Sequence, residues 1–315
     1  MNTHRLLPAF YQETSGHRQR PSTSEIDMQS LEPTALLGTT NAGDTAAMPY
    51  DNLSWPKISV VTPSYNQGEF LEATIRSVLD QDYPGLEHLV VDGGSNDGSR
   101  AILERHTHDL AFWCSEPDNG QADALSKGFD RATGDVLGWL CSDDRLRPGA
   151  LETVGRIFRD EPDTHVLVGH VDFVDPSGKL VYAAKGRDST LLDVASYWKG
   201  YHLHQPAVFW RRGIYESAGR IRKNLYYTMD FELWLRLAEL TSFRLVDQVL
   251  AEATVHAEAK NGVTFVPYRR HQLIDVMRRY GQPFSTRHWS VRIALYRHLA
   301  IEPVRMLLGR KPLYL

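Results

Sequence analysis

Cysteine is scarce in this chain, and long apolar runs are absent. The two cysteines, Cys114 and Cys141, are too few for a disulfide scaffold and lack metal-site spacing, so we expect buried thiols in a reducing compartment. No apolar run reaches the roughly 20 residues that a membrane-spanning helix needs, and the N-terminus lacks the apolar core of a signal peptide. These absences favour a cytoplasmic protein.

Charge is distributed unevenly, although the net charge is only −4. Residues 269–315 hold ten Lys or Arg against two Asp or Glu, which gives +8, whereas residues 51–268 carry −10. An acidic body argues against nucleic-acid binding. The basic tail suits peripheral contact with the inner face of the cell membrane, with a polyanionic glycan or with a second copy of the chain; the alternative is a solvated helical extension.

Composition divides the chain into three segments. Residues 1–55 are rich in Ser, Thr, Pro, Gln and Gly without periodicity, which is typical of a loosely ordered arm. Residues 56–267 hold the patterned part, in two halves, 56–148 and 149–267. In residues 268–315, apolar residues at helical spacing alternate with arginines, which predicts basic amphipathic helices.

Short β-branched runs alternate with helical patterns in the first half. The predicted strands are 58–62, ended by Pro63, then 89–91, 110–114 and 136–140. Helices are expected between them, one capped by Asp97 and one starting near Gln121. This alternation indicates a mostly parallel sheet flanked by helices. In the second half we expect strands at 166–168, 171–174, 180–182, 207–210 and 245–251, and a helix at 230–240.

Polar residues follow each predicted strand of the first half, in the clusters 62–66, 92–95, 115–119 and 142–144. The carboxyl ends of parallel strands meet at one edge of a sheet, where open α/β folds bind their ligands. We therefore expect a single ligand site built from all four clusters.

Two adjacent carboxylates, Asp143 and Asp144, follow the last of these strands. A divalent cation would relieve their repulsion, because hard cations such as Mg²⁺ and Mn²⁺ take oxygen ligands and bridge to a diphosphate. The alternative is a simple turn, since Ser-Asp-Asp-Arg is favourable turn chemistry. The two residues alone leave both interpretations open.

Four segments together resemble the family 2 glycosyltransferases with the GT-A fold: VTPSYN (61–66), VDGGSNDGS (91–99), EPDNGQADA (116–124) and WLCSDDRLRPGA (139–150). The resemblance covers residues 57–260. It implies a Rossmann-like α/β fold with a C-terminal helical extension and a nucleotide-diphosphate-sugar donor. It also implies an inverting, metal-dependent transfer of the sugar to an acceptor hydroxyl of a growing glycan or glycolipid.

The resemblance also implies which residues bind the nucleotide. These are Thr62, Pro63, Ser64, Tyr65, Asn66, Asp92, Gly93, Ser95, Asp118, Gln121, Ser142 and Lys260. Tyr65 would stack on the base, Asp92 would accept a hydrogen bond from the base ring, which implies a UDP- or dTDP-linked donor, and Lys260 would neutralise the leaving phosphate. The alternatives are packing under the loop for Tyr65 and an Asx turn for Asp92.

For the cation, Mn²⁺ or Mg²⁺, the resemblance implies Asp143 as the main ligand, with Asp144 and His256 beside it. Asp143 matches the last Asp of the family's Asp-x-Asp motif, whereas Cys141 stands where the first Asp is expected. An imidazole ligates Mn²⁺ as well as oxygen donors do. The alternative for His256 is a structural role.

Asp230 is the predicted catalytic base, because its segment resembles the family's Glu-Asp segment, with Met229 in place of the Glu. As a base it would take the proton of the acceptor hydroxyl while that oxygen attacks the anomeric carbon. The alternative is an N-cap of the following helix. His204, Gln205 and Trp234 are assigned to the acceptor or the sugar, with loop support and core packing as their alternatives.

Two other functions share parts of this pattern. A nucleotidyltransferase also uses carboxylates, a metal and an α/β sheet, but it usually has a basic Gly-rich phosphate loop, and none precedes Asp92. A catalytically inactive homologue that binds nucleotide sugars is suggested by Cys141 and Met229, the two departures from the family pattern.

Overall fold

The structure, a computed structural model, describes residues 54–196 and 203–257, together with 259, 289 and 293. The predicted arm 1–55 and the predicted C-terminal helices 268–315 lie outside the described residues, apart from positions 54, 55, 289 and 293. Lys260 lies outside them as well.

Nine strands form one sheet within the described ranges. They are β1 (Ile58–Ser64), β2 (Leu86–Asp92), β3 (Phe112–Ser115), β4 (Val136–Trp139), β5 (Arg145–Leu146), β6 (Val166–Val174), β7 (Leu180–Ala184), β8 (Val208–Arg211) and β9 (Arg244–Thr254). The helices between them are α1 (Gly68–Leu79), α2 (Ser99–Arg105), α3 (Gln121–Phe129), α4 (Ala150–Asp160), α5 (Leu191–Ala195), α6 (Arg212–Ala218) and α7 (Met229–Leu240). A short 3-10 turn spans Gln205–Ala207.

The strand order is β3-β2-β1-β4-β8-β6-β9-β5, with β7 paired to β6. β1 pairs in parallel with β2 and β4, and β2 with β3, so the predicted parallel half is confirmed. β8 runs antiparallel to both β4 and β6, and β9 runs parallel to β6. The parallel half brings the carboxyl ends of β1 to β4 to one edge, where the polar clusters follow.

β1 continues through Pro63 to Ser64, so the prediction that Pro63 ends the strand is wrong. The carbonyl of Val61 accepts a hydrogen bond from the Leu140 N–H on the β4 side, at 3.0 Å. Backbone groups two residues apart in a strand point the same way, so the Pro63 nitrogen also faces that side. β4 ends at Trp139, opposite Val61, and no donor is needed at Pro63.

β6 joins the two predicted strands 166–168 and 171–174 into one. The break in the sequence pattern, Gly169-His170, is a bulge at which the register with β9 shifts. A Cβ at Gly169 would lie 2.4 Å from the side chain of Leu250, so only glycine lets β9 pack this closely.

Trp234 of α7 belongs to the core and is 2% exposed. Its ring stacks on Trp139 of β4, with centroids 6.1 Å apart, and meets Trp210 of β8 edge-on at 5.3 Å. These rings bury a large apolar area and seat α7 on the sheet. The prediction of a sugar platform at Trp234 is therefore wrong, and its alternative, core packing, describes the residue.

His88 of β2 is a buried titratable group, and its Nε2 lies 3.0 Å from Thr62 Oγ1. Burial, helped by the nearby His106, lowers the pKa of His88 from 6.5 to about 3. Between those values the unfolded chain binds a proton that the folded chain does not. Stability is therefore unaffected by His88 above pH 6.5 and falls as the pH drops below it, by up to about 1.4 kcal/mol per pH unit.

The variant His88→Gln removes this titration and keeps a polar partner for Thr62. Urea unfolding between pH 6.5 and 4 is expected to give a shallower fall of the free energy of unfolding in the variant than in the wild type. The carboxylates contribute equally to both chains, so the difference isolates the imidazole. Equal slopes in the two proteins would contradict the assignment.

Candidate active site

The loops that follow β1 and β2 are hydrogen-bonded to each other at the carboxyl edge of the sheet. The Asn66 backbone N–H donates to Ser95 Oγ at 2.7 Å, and the Asn96 backbone N–H donates to Asn66 Oδ1 at 3.0 Å. Asn66 has a φ of 51°, a left-handed conformation that short polar residues tolerate. These contacts confirm that the first two polar clusters converge.

Asp97, in the second of these loops, anchors two helices. Its Oδ2 accepts the Gly68 backbone N–H at the start of α1, at 2.8 Å, and its Oδ1 accepts the Ser99 backbone N–H at the start of α2, at 3.1 Å. Such contacts satisfy N–H groups that have no partner inside a helix. The N-cap position of α2 is Gly98, so the predicted cap at Asp97 is wrong by one residue; the Asp97 carboxylate instead accepts N–H groups at the starts of both helices.

Asp92, the predicted hydrogen-bond partner of the nucleobase, is fully buried and holds the turn after β2. Its carboxylate accepts hydrogen bonds from the Gly94 and Ser95 backbone N–H groups at 3.2 and 2.9 Å, from Ser115 Oγ at 2.7 Å and from Ser95 Oγ. Three of these donors bind Oδ2 and one binds Oδ1, so the carboxylate is held by the turn and by Ser115 of β3. The side chain thus has the role of its alternative, an Asx turn.

The Asp118 carboxylate faces the same turn, and one of its two oxygens can still accept a hydrogen bond. Its Oδ1 accepts the Gly120 backbone N–H at 2.7 Å, whereas its Oδ2 is buried without a hydrogen-bond partner among the described residues. Gly93 permits this approach, because a Cβ there would lie 3.0 Å from that Oδ2. Burial raises the pKa of Asp118. A buried carboxylate oxygen of this kind favours a ligand N–H as its partner.

The other predicted nucleotide residues differ in exposure. Tyr65 is 63% exposed, which leaves its ring accessible to a base. Thr62 and Ser142 are fully buried, and Pro63 and Ser64 are buried in β1. Because the Thr62 hydroxyl bonds His88 in the core, the prediction that this side chain contacts the nucleotide is wrong. The Ser142 hydroxyl likewise serves the fold, by donating to Gln67 Oε1.

Asp143 and His256 meet after β4 and β9. His256 Nε2 lies 3.0 Å from Asp143 Oδ2, and Gln67 Nε2 donates to the same oxygen at 3.1 Å. Asp144 is 8% exposed and its Oδ1 accepts the Thr254 backbone N–H at 3.2 Å. The predicted cation residues are therefore brought together from distant parts of the chain.

The donor set around Asp143 fits a divalent cation. Single ligand atoms of Cys141, Asp143 and Asp144 lie within 4.8 Å of one another. Burial and the neighbouring charge of Asp143 raise the pKa of Asp144 well above its usual range. A cation would lower that cost, and carboxylate oxygens with an imidazole suit Mn²⁺.

Gln205 and Gln121 contact the thiol that replaces the expected first Asp. Gln121 Nε2 lies 3.2 Å from Cys141 Sγ, and the thiol lies 3.4 Å from Gln205 Oε1. Gln205 Nε2 donates to the Trp139 carbonyl at 2.5 Å, which ties the 3-10 turn to the end of β4. His204 meets Phe173 edge-on, with centroids 5.3 Å apart. Both amides therefore line the acidic loop, and Gln205 also supports it.

Asp230 is the second residue of α7, and Thr228 occupies the N-cap position. The N-cap alternative for Asp230 is therefore wrong. Its Oδ1 accepts the Phe231 backbone N–H at 2.7 Å, and the residue is partly exposed. A carboxylate in the first turn of a helix interacts favourably with the helix dipole.

Comparison with known proteins assigns the chain to a family. The family model described as "Glycosyl transferase family 2" matches residues 59–219, just over half of the chain. The chain belongs to glycosyl transferase family 2. This confirms the predicted family.

Relatives and solved structures agree with the assignment. An "Uncharacterized glycosyltransferase" of Mycobacterium tuberculosis (strain CDC 1551 / Oshkosh) is 45% identical over 94 residues, 30% of this chain and 36% of that protein. The match thus spans about a third of the relative's length.

Two solved glycosyltransferases share the fold. S. aureus TarS 1-349 in complex with UDP-GlcNAc has a TM-score of 0.60 at 20% identity, over 81% of this chain and 76% of that chain. Mannosyltransferase PcManGT from Pyrobaculum calidifontis, in complex with GDP-Man and Mn²⁺, has a TM-score of 0.55 at 18% identity, over 82% and 78%. At such identities the likeness shows the fold alone, and it confirms the predicted GT-A architecture of this family 2 glycosyltransferase.

Two features of the family 2 glycosyltransferase complete the description. Within the part of the chain that the structure describes, no helix has the length and apolarity to cross a membrane.

Gln67, which touches both Ser142 and Asp143, is a site residue that the sequence patterns missed. Its only sequence signal is its place directly after the polar cluster 62–66.

Proposed function

We propose that this glycosyltransferase moves a sugar from a UDP- or dTDP-linked donor to an acceptor hydroxyl, with inversion at the anomeric carbon and with a bound Mn²⁺ or Mg²⁺. The meeting of Asp143, Asp144 and His256 at the carboxyl edge of the sheet carries the proposal. Tyr65 follows β1 and Asp118 follows β3, at the same edge of the sheet and on the side expected for the nucleobase.

Asp118, rather than Asp92, is the group that we assign to the base. Its Oδ2 is buried without a partner among the described residues, whereas Asp92 Oδ2 accepts three hydrogen bonds and Asp92 Oδ1 accepts one. A carboxylate oxygen accepts the imide N–H of uracil or thymine, and the exposed Tyr65 ring offers a stacking face. UDP-GlcNAc bound to the solved neighbour TarS is consistent with this choice.

Transfer requires a base, a leaving group and a fixed geometry. Asp230 takes the proton of the acceptor hydroxyl while its oxygen attacks the anomeric carbon from the face opposite the leaving diphosphate. A cation would be held by Asp143, with Asp144 and His256, and would neutralise the charge of that diphosphate. We assign to Lys260 the role of adding positive charge for the leaving phosphate, and to His204 and Gln205 contacts with the sugar or the acceptor.

The acceptor class is a growing glycan or a lipid-linked saccharide. The basic segment 269–315 would bring a cytoplasmic enzyme to the inner face of the membrane, or to a second copy of the chain. An acidic body of charge −10 over residues 51–268 is unsuited to nucleic acid.

The first test is thermal unfolding with UDP, dTDP, GDP and ADP, each with and without Mn²⁺. A ligand at about 100 times its dissociation constant adds about 2.7 kcal/mol to the free energy of unfolding. We expect UDP and dTDP to stabilise the chain in the presence of Mn²⁺, because Asp143 joins the cation to the diphosphate. The shift should disappear in Asp143→Ala, and the preference for UDP and dTDP should be lost in Asp118→Asn.

Two outcomes would contradict parts of the proposal. Nucleotide binding without turnover of any donor would identify an inactive homologue. A glycoside product that keeps the anomeric configuration of the donor, read from its proton NMR coupling constant, would exclude inversion.

A further inference from the structure

One face of α1, extended by the residue before the helix and by the second residue after it, carries a polar stripe formed by Gln67, Thr74, Ser77 and Gln81. The spacing of seven, three and four residues places these side chains on one side of the helix. All four contact the segment 142–151, which contains the acidic loop. A second stripe, formed by Leu71, Ile75 and Val78, is fully buried in the core.

Three members of the polar stripe bond only the backbone of that segment. Thr74 Oγ1 lies 2.8 Å from both the Ser142 and the Asp144 carbonyl oxygens. Ser77 Oγ accepts the Leu146 backbone N–H at 3.1 Å. These contacts satisfy backbone groups of the loop after β4 and of β5, and so they fix the path of the segment beside α1.

Gln81 is the member of the stripe farthest from the acidic loop. Its Nε2 donates to the Arg147 carbonyl at 3.1 Å, and its Oε1 accepts the Leu151 backbone N–H at 3.3 Å. The side chain thus anchors the same segment as Thr74 and Ser77, but it does so several residues beyond Asp144.

Gln67 differs because it bonds side chains. Its Nε2 donates to Asp143 Oδ2 at 3.1 Å, and its Oε1 accepts the Ser142 hydroxyl. The two contacts fix the orientation of the amide, since a flipped amide would place its oxygen against the carboxylate. Gln67 and His256 both use Asp143 Oδ2, and no hydrogen bond to Oδ1 is formed within the described residues. The Asp143 carboxylate is therefore held through Oδ2, and Oδ1 is left to bind a cation.

The first turn of α1 also contacts the second predicted ligand. Phe70, three residues after Gln67, packs on His256 with ring centroids 4.8 Å apart. Asp97 fixes the same turn through the Gly68 backbone N–H. The N-terminal end of α1 thus contacts both predicted ligands, Asp143 through Gln67 and His256 through Phe70.

We propose that Gln67 is a positioning residue that sets the rotamer of Asp143 and thereby the affinity of the site for a divalent cation. This inference rests on the proposed function, because it takes Asp143 as the cation ligand. Groups that orient a metal ligand typically account for about 10–100-fold in metal affinity. A residue that merely anchored the loop would alter stability and leave the affinity unchanged.

The test compares Gln67→Leu with Gln81→Leu in the full chain. Gln81 lies on the same stripe and contacts the same segment, but at Arg147 and Leu151 rather than at a predicted ligand. Binding of Mn²⁺ in the presence of saturating UDP is measured from the free Mn²⁺ signal in electron paramagnetic resonance, and thermal unfolding is recorded for each protein. Gln67→Met, which keeps an unbranched side chain of similar length, replaces the leucine variant if that protein does not fold.

We expect the Mn²⁺ dissociation constant to rise about 10–100-fold in the Gln67 variant and to stay at the wild-type value in Gln81→Leu. Equal Mn²⁺ affinity in wild type and the Gln67 variant would overturn the inference, as would an equal loss in both variants. Failure of the wild type itself to bind Mn²⁺ with UDP would instead contradict the proposed function. The two failures are therefore distinguishable.

Discussion

Replacing Asp230 by Asn is expected to lower kcat by about 10²–10⁴-fold, the usual contribution of a general base. The amide keeps an oxygen that accepts the Phe231 backbone N–H, as Asp230 Oδ1 does at 2.7 Å, so the start of α7 is preserved. What the variant loses is the ability to take the acceptor's proton. Its KM for the donor and its affinity for UDP should change little, because the proposed function places the nucleotide at the loops after β1 to β4 and not at α7.

The measurement is release of the nucleoside diphosphate under saturating donor and acceptor, with the donor chosen from the nucleotide screen. Glu239→Gln is the matched control, since it removes a carboxylate from the same helix about 13 Å farther along its axis. Asp230→Asn with wild-type kcat would remove Asp230 from the mechanism. An equal loss in Glu239→Gln would show that the helix, and not the carboxylate, is responsible.

The second large effect concerns Glu232, one helical turn before Arg236. Glu232 is 1% exposed, and its two oxygens bind Arg236 Nε and Nη2 at 3.0 and 2.8 Å. Arg222 adds a further ion pair with Glu232 at 2.9 Å. Arg236 also donates to the carbonyls of Ala218, at 2.7 Å, and of Gly219 and Arg220. The network joins α7 to the loop that leads into it.

Glu232→Ala leaves the Arg236 guanidinium buried without its counter-charge. Breaking a buried pair in this way costs about 3–5 kcal/mol, which urea unfolding will measure. Glu104→Ala is the control: its partner Arg100 is solvent-exposed, and exposed pairs of this spacing contribute about 0.3–0.5 kcal/mol. A similar loss in both variants would contradict the burial argument. The double variant Glu232→Leu with Arg236→Leu should recover part of the stability.

The sequence predicted the sheet edge well, because β-branched runs followed by Asp, Ser and Gly carry that information locally. The end of β1 was predicted wrongly at Pro63. Whether a strand can contain a proline depends here on where the neighbouring strand β4 ends, and the sequence pattern around Pro63 does not show that register. Trp234 misled for a similar reason, since its spacing on α7 fits either a core or a surface face.

The sequence predicted which types of residue line the candidate site, but it did not predict the role of each residue. Asp92 and Asp118 are both acidic residues of turns, and only the hydrogen bonds show that Asp92 accepts four donors whereas Asp118 Oδ2 has none among the described residues. Gln67 was missed because a glutamine after a polar cluster has no signature of its own. Its importance comes from Asp143, 76 residues farther along the chain.

The contact between Trp139 and Trp234 sets the spacing between β4 and α7. Trp139 ends the strand that leads to the acidic loop, and Trp234 stands one helical turn after Asp230, with the two indoles stacked 6.1 Å apart. Under the proposed function, with the donor at the acidic loop and the acceptor at Asp230, the thickness of this aromatic layer sets the gap between the two. An engineer who wants this enzyme to accept a bulkier or a slimmer acceptor should begin by repacking these two rings, and not by changing the charged residues above them.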